Sequence, residues 1–274
     1  MNSEDFKKLQ CAQLEIMDEI HRVCVENNIE YYIIGGTALG AVRHGGFIPW
    51  DLDIDVAMMR PEYDRFKKVC ETKLDKRFVY HDFINTHNFG HPHALVCINN
   101  TVLVNKFDKF NPALKNLGIY LDIFPLDNAP TDEEAQMKQA KELLRIKKLK
   151  KYRYGFCYTN RPIEKAVKIL RKAAVCWTTV DAVCKKYDDC MRKYNGEETG
   201  LVCSMSSHYS YKKQCMPKEV YGTPQLVKFE DRQYFAPEKI DEYLTRIYKD
   251  YMKLPPVEEQ KENLDAFEKV VFDR

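Results

Sequence analysis

Residues 33–56 read Ile33-Ile34-Gly35-Gly36-Thr37-Ala38-Leu39-Gly40-Ala41-Val42-Arg43-His44-Gly45-Gly46-Phe47-Ile48-Pro49-Trp50-Asp51-Leu52-Asp53-Ile54-Asp55-Val56. Three carboxylates stand at alternate positions, with Leu52, Ile54 and Val56 closing the gaps. On a strand, successive side chains point to opposite faces, so Asp51, Asp53 and Asp55 would share one face. Like charges so clustered repel one another unless a cation sits among them. A hard divalent ion such as Mg2+, held by carboxylates and substrate phosphates, is the usual resident. Just upstream, Tyr31-Tyr32-Ile33-Ile34 reads as a strand ending in Gly35-Gly36, and Thr37 to His44 predicts a brief helix closed by Gly45. Strand, glycine turn and helix start together make a seat for phosphates.

Side by side, these two features suit phosphoryl or nucleotidyl transfer: amides hold nucleotide phosphates and carboxylates hold the metals that bridge them. Asp122, between Leu121 and Ile123 in a strand expected over 118–124, would add a carboxylate from a neighbouring strand, as metal ligand or as base for an acceptor hydroxyl. Asp127 lies close by, and either acid could instead be a turn residue. Arg43 and His44 could contact a phosphate or cap their own helix.

Other readings compete. Asp51, Asp53, Asp55 and Glu62 fall at positions 1, 3, 5 and 12 of a calcium-loop pattern, but its sixth position must be Gly and is Val56. The aspartates could also be the solvated face of an edge strand. His87, His91 and His93 have no common metal spacing across Gly90 and Pro92 and read as a loop. Tyr152, Tyr154, Phe156 and Tyr158, beside basic residues dense between Arg145 and Arg153, could bind an anionic acceptor or a membrane surface, or form a solvated helix face.

The chain has 274 residues, 45% hydrophobic and 31% charged, as in an ordinary globular protein. Its net charge of +2 argues against a dedicated nucleic-acid binder. Ten scattered cysteines without a C-x-x-C pair, and an N-terminus without a signal peptide, read as mostly reduced, buried thiols in a cytosolic protein. No apolar run is long enough to span a bilayer.

Leu9, Ile16, Met17, Ile20 and Val23 recur at helical spacing, predicting an amphipathic helix from Ser3 to about Asn28. Pro61 opens a helix to about Leu74. Strands are expected over 78–84, 94–98 and 101–105, the last two as a hairpin about Asn99-Asn100, and the 118–124 strand should stop at Pro125. A capping box, Thr131-Asp132-Glu133-Glu134, predicts a helix to about Tyr154, and Pro162 one ending near Asn195-Gly196, carrying Cys176, Cys184 and Cys190. Short strands near 200–205 and 226–235 and a helix from Pro237 to Met252 follow, before Pro255-Pro256.

The 33–55 stretch resembles the signature of the LicD family. So do Tyr120-Leu121-Asp122-Ile123-Phe124-Pro125-Leu126-Asp127 and, downstream, Tyr221-Gly222-Thr223-Pro224, Phe229-Glu230 and Tyr251-Met252-Lys253-Leu254-Pro255-Pro256. The resemblance implies an α+β fold of the nucleotidyltransferase (polymerase-beta-like) type: a mixed sheet core with helices in residues 1–130, and a largely helical region, 131–274, that completes the acceptor side and packs with the core as one unit. It implies transfer of phosphocholine from CDP-choline to a hydroxyl of a lipopolysaccharide, teichoic acid or other cell-surface glycan precursor, with CMP released. Fukutin-related proteins are similar but use CDP-ribitol. Asp53, Asp55 and Asp122 would be the catalytic acids binding two Mg2+ ions (Mn2+ also serving), with Asp51 nearby. Gly35, Gly36, Thr37, Arg43 and His44 would face the nucleotide phosphates. Leu52 stands where the family usually has Asp and is expected to face away from the metals. Attack at the α-phosphate would make the chain a nucleotidyltransferase instead, and a catalytically silent nucleotide-binding regulator is the non-enzyme reading. The expected setting is the bacterial cytoplasm, at the inner face of the membrane, on a glycan or lipid-linked glycan acceptor.

Overall fold

Long amphipathic stretches and short β-branched runs alternate along this chain, and the computed structural model arranges them as an α+β architecture. It describes residues 3–105, 117–154, 162–256, 260 and 267–272. The elements are α1 (Ser3–Glu26), β1 (Tyr32–Ile33), α2 (Gly35–His44), β2 (Asp55–Met59), α3 (Arg60–Lys73), β3 (Phe78–His81), β4 (Ala94–Ile98), β5 (Val102–Asn105) and β6 (Tyr120–Asn128). There follow α4 (Glu133–Tyr154), α5 (Pro162–Ala174), α6 (Val180–Met191), β7 (Leu201–Cys203), the single turn α7 (Tyr211–Gln214), β8 (Cys215–Pro217), the single turn α8 (Lys218–Tyr221), β9 (Gln225–Phe229), β10 (Arg232–Ala236), α9 (Ile240–Tyr248) and β11 (Phe267–Val271).

The main sheet runs β1-β2-β6-β4-β3, with β7 pairing β6 and β8 pairing β7. Among the described residues only β2 and β6 pair in parallel, in a register that sets Asp55 opposite Asp122. The apolar stripe of α1 covers this sheet: Leu9, Ile16, Met17, Ile20 and Val23 are fully buried.

Several boundaries differ from the sequence expectation. The aspartate strand begins only at Asp55. The Asp51 N–H closes a turn on the Ile48 carbonyl (2.8 Å), and β1 reaches only Val56 and Ala57. β2 lies between β1 and β6, so the acids are not the face of an edge strand. α2 starts at Gly35 rather than Thr37, and closes at Gly45 in the left-handed region as expected.

β4 and β5 do not form a hairpin. Both edges of β4 are occupied, by β3 and β6, and β5 turns away to pair with β11. β6 continues through Pro125, which falls between the end of the β4 pairing at Ile123 and the start of the β7 pairing at Asp127. On that edge the missing N–H interrupts no ladder, while on the other edge Pro125 lies opposite Met58 of β2.

The single helix expected from Pro162 to Asn195 is two, because the Thr179 hydroxyl accepts the Ala182 N–H and starts α6 anew. Cys176 lies between them. α9 stops at Tyr248, where Lys249 takes a positive φ of 62°. The 226–235 stretch is a two-strand hairpin, β9 and β10, turning at Glu230. Seven of the described cysteines are buried and all are unpaired, in keeping with reduced thiols. Phe156, Cys157 and Tyr158 lie outside the described residues. No described helix is long and apolar enough to cross a membrane.

Candidate active site

The parallel pairing of β2 with β6 brings carboxylates from distant parts of the chain together. Asp55 opens β2, Asp122 is its partner on β6, and Asp51 and Asp53 approach along the extended stretch before β2. Desolvation raises the pKa of all four above the ordinary carboxylate value. Next come repulsion from Asp53, Asp122 and Asp51 at Asp55, and from Asp53 at Asp51. Asp122 is raised to about 6. Asp51 and Asp53 are close enough for each to perturb the other, and both are raised, burial being the largest cause. This is the behaviour of like charges gathered without a counter-cation.

The glycine turn sits against the acids because it has no side chains. A Cβ on Gly36 would lie 2.5 Å from Asp51 Oδ2, and one on Gly35, whose φ is +57°, would lie 3.0 Å from Asp55 Oδ2. The Thr37 hydroxyl, buried behind Asp55, accepts the Asp55 N–H at 2.8 Å, and Gly35 N–H donates to the Tyr243 hydroxyl at 2.9 Å. Gly36 and Thr37 lie in the first turn of α2, whose N–H groups lack intrahelical acceptors.

Asp51, Asp53 and Asp55 border a cleft of about 670 Å³ that also exposes Gly36, Arg43 and Trp50. Leu52 belongs to the buried core yet also borders this cleft, so it does not face wholly away. The opposite wall comes from the second half of the chain: His208, Tyr209, Tyr248 and residues 250–256 without Met252. The Tyr209 and Tyr248 rings meet at 89° with their hydroxyls 2.9 Å apart. Arg43 donates to the carbonyls of Tyr251 (3.0 Å) and Lys253 (3.4 Å), fastening that wall to α2. His44 sits edge-on to Trp50. Glu230, at φ 56°, accepts the Phe47 N–H through its side chain and donates its own N–H to Gly45, locking the loop that leads to the acids.

Two residues have roles that sequence spacing did not reveal. His93 Nε2 is 2.8 Å from Asp122 Oδ1, and burial depresses His93, like neighbouring His91, to about 3, so both are neutral at pH 7. Asp127, buried on the same strand, is held by Arg60 in a two-point ion pair at 2.6 and 2.7 Å and by Asn195 at 2.6 Å, a structural role and not a turn. Glu62 pairs with Arg65 at the far end of β2, which overturns the calcium-loop reading. His87 pairs with Asp181. Among the described residues no three His, Cys, Asp or Glu form a ready-made metal geometry. Mg2+ characteristically takes one or two carboxylates and completes its shell with water and substrate phosphates.

A sequence family described as LicD/FKTN/FKRP, nucleotidyltransferase domain, matches residues 28–137. The lipopolysaccharide cholinephosphotransferase LicD of Haemophilus influenzae is 30% identical over 269 residues, covering 95% of this chain and 96% of that protein. The chain belongs to the LicD family. Two uncharacterized proteins resemble shorter parts of this LicD-family transferase. One, from Rickettsia typhi, is 42% identical over 63 residues (23% of this chain, 20% of that one). The other, from Rickettsia prowazekii, is 46% identical over 48 residues, 18% of each.

Proposed function

We propose that this LicD-family chain is a Mg2+-dependent transferase on a nucleotidyltransferase-type core, moving phosphocholine from CDP-choline to a hydroxyl of a cell-surface glycan precursor and releasing CMP. The observation that carries the reading is the convergence of Asp51, Asp53 and Asp55 at a cleft beside the first turn of α2, with Asp122 behind them as the strand partner of Asp55. The near-full-length likeness to a lipopolysaccharide cholinephosphotransferase supports the phosphocholine half. On this reading the core of residues 1–130 supplies the acids, and residues 131–274 complete the acceptor side. The acceptor is a lipopolysaccharide or teichoic acid precursor met at the cytoplasmic face of the membrane.

The donor set suits Mg2+. It is all oxygen, anionic and self-repelling, and among the described residues none of Asp51, Asp53 and Asp55 is shown in an ion pair with Lys or Arg. Asp53, Asp55 and Asp122 would hold the ions, with Asp51 beside them. Bound there, Mg2+ supplies neutralisation of the donor diphosphate and polarisation of its phosphorus.

The chain's own groups do the rest. First-turn amides of α2 receive phosphate oxygens. Arg43, at the cleft margin, adds positive charge. Asp122, fixed through one oxygen by His93, orients the acceptor hydroxyl for in-line attack. Trp50 and Tyr248, which line the cleft, are the aromatic candidates for the quaternary ammonium, since the Tyr209 ring is stacked by His208 at 4.0 Å and already meets the Lys213 ammonium at 5.5 Å.

Calorimetric titration with CDP-choline, CDP-ribitol and CTP, with and without Mg2+, beside the Asp53→Ala, Asp55→Ala double variant, tests the donor. Mg2+-dependent binding of CDP-choline that the variant loses supports the proposal. Preference for CDP-ribitol reassigns the headgroup, and binding indifferent to Mg2+ and to both aspartates favours a silent regulator. With acceptor added, release of CMP marks phosphocholine transfer, whereas free phosphocholine with a CMP-linked acceptor marks nucleotidyl transfer.

A further inference from the structure

A helix whose apolar residues fall on one arc normally buries that arc against the fold. α5 does not. Ile163, Ala166, Val167, Leu170 and Ala174 recur at helical spacing, and the stripe continues to Trp177. Ile163 is 81% exposed, Leu170 69% and Trp177 72%. The sequence of α5 also holds Lys165, Lys168, Arg171 and Lys172 against the single acid Glu164, and Arg171 and Lys172 are exposed. Scattered exposed apolar residues need no explanation, but a contiguous stripe beside concentrated positive charge does.

We infer that α5 and Trp177 form a surface that docks on an anionic phospholipid bilayer, the apolar stripe entering the boundary between headgroups and acyl chains while the basic residues meet the lipid phosphates. One wide apolar arc on a helix otherwise rich in Lys and Arg, with an aromatic at its end, is the composition of helices that lie in a membrane interface. Charge complementarity selects this occupant. Two copies meeting through α5 would bring four basic residues of each helix together, whereas an anionic lipid surface neutralises them.

The adjacent helix has the same mixture. On α4, Met137, Lys141, Leu144, Lys148 and Lys151 share a face and are exposed. Lys147 and Lys150 are excluded from that surface, since they turn inward to the carbonyls of Ser207 (3.0 Å) and Gly90 (2.9 Å). The surface does not depend on which headgroup the cleft transfers.

Co-sedimentation of the full chain with vesicles of phosphatidylcholine alone, or with added phosphatidylglycerol, tests it. The protein should pellet with the anionic vesicles and stay in solution with the neutral ones, less so as salt rises. In a Trp50→Phe background the remaining indole, Trp177, should shift its emission to the blue on anionic vesicles. Ile163→Glu with Leu170→Glu, and separately Arg171→Glu with Lys172→Glu, should each lose about tenfold or more of the partition. Ile163, Leu170 and Lys172 are exposed, so circular dichroism and melting should match the parent; Arg171 also lies over the Tyr152 ring at 5.2 Å, and Lys172→Glu alone, which keeps that contact, should still weaken the partition. Failure to pellet with anionic vesicles, equal binding to neutral ones, or variants that bind like the parent would overturn the assignment. So would light scattering showing a dimer that Ile163→Glu with Leu170→Glu dissociates, which would give the stripe to a second copy.

Discussion

His93 Nε2 lies 2.8 Å from Oδ1 of Asp122, the residue whose other neighbour across the sheet is Asp55. Burial keeps the imidazole neutral, so its single proton points at the carboxylate from Nε2, and Nδ1 is enclosed without a partner among the described residues. One oxygen of Asp122 is thereby fixed, and on the proposed mechanism the other orients the acceptor. Hydrogen bonds of this kind are worth about 10–100-fold in metal affinity or activity. His93→Ala should lower kcat by about that factor with little change in KM for the donor, and His93→Gln, which keeps a donor, should recover part of it. Steady-state CMP release measures both, and an unchanged kcat in His93→Ala would remove His93 from the reaction.

Asp122 and Asp127 occupy the same strand but should answer mutation in opposite ways. Asp127 is fully buried and neutralises Arg60, which is 5% exposed and also reaches Asp188 at 3.0 Å. Asp127→Ala leaves a buried guanidinium short of charge and should cost about 3 kcal/mol in urea unfolding. Asp122→Ala removes a carboxylate whose neighbours repel it, so it should abolish transfer without a comparable loss of stability.

The Asp122–His93 contact marks where the sequence stops being legible. The acids, the glycine turn and the helices α1, α3 and α4 follow from periodicity and capping, all local in the chain. The contact needs the antiparallel register of β4 on β6, which aligns Leu95 with Asp122 and so places His93 diagonally across from it, over Phe124. Sequence spacing suggested a β4–β5 hairpin instead, since Asn99-Asn100 is good turn chemistry whichever strand takes the free edge. The cleft's aromatic wall was hidden for the same reason. Seventeen tyrosines are equivalent on paper until α9 and the 208–209 loop are folded against α2. Glu230 and Arg43, by contrast, lie in stretches that resemble the family signature, and the structure gives them mechanical work in holding the loop and the wall.

Clustered carboxylates make stability depend on pH in a direction that can be worked out. Asp122 goes from the ordinary 3.8 to about 6, and Asp51 and Asp55 are raised well above it. The folded chain therefore holds protons that the unfolded chain has already lost, and stability falls as pH rises through the folded pKa values. His91 and His93 act oppositely but only below about pH 6.5, where the unfolded imidazoles take up protons that the folded ones refuse. Above that pH the slope belongs to the acids. In chelator the melting temperature should fall as pH rises beyond the value of about 6 at which folded Asp122 ionises and the unfolded imidazoles are losing their protons, and Mg2+ should restore it most at the alkaline end. Asp53→Asn should raise the chelator value by roughly 2–4 °C, the equivalent of about 1 kcal/mol in a chain of this size, while losing the response to Mg2+. A melting temperature indifferent to Mg2+ across this range would count against the four acids as its site.

Gly36 separates the packing role of the glycine turn from helix propensity. Alanine in a helix is normally better than glycine by about 1 kcal/mol, and Gly36 lies in the first turn of α2 without a positive φ. Propensity alone therefore predicts that Gly36→Ala is neutral or stabilising. The added methyl, however, would sit 2.5 Å from Asp51 Oδ2, and Asp51 must shift to accept it. Gly36→Ala should thus melt within a few degrees of the parent yet lose about tenfold or more in kcat/KM, since small displacements at a reacting centre have large kinetic effects. Gly196→Ala, where a Cβ would meet nothing within 4 Å, is the matched control and should leave both quantities unchanged. Parallel losses of stability and activity in Gly36→Ala would mean that the clash is borne by the fold, and full activity would mean that Asp51 can leave its place without consequence.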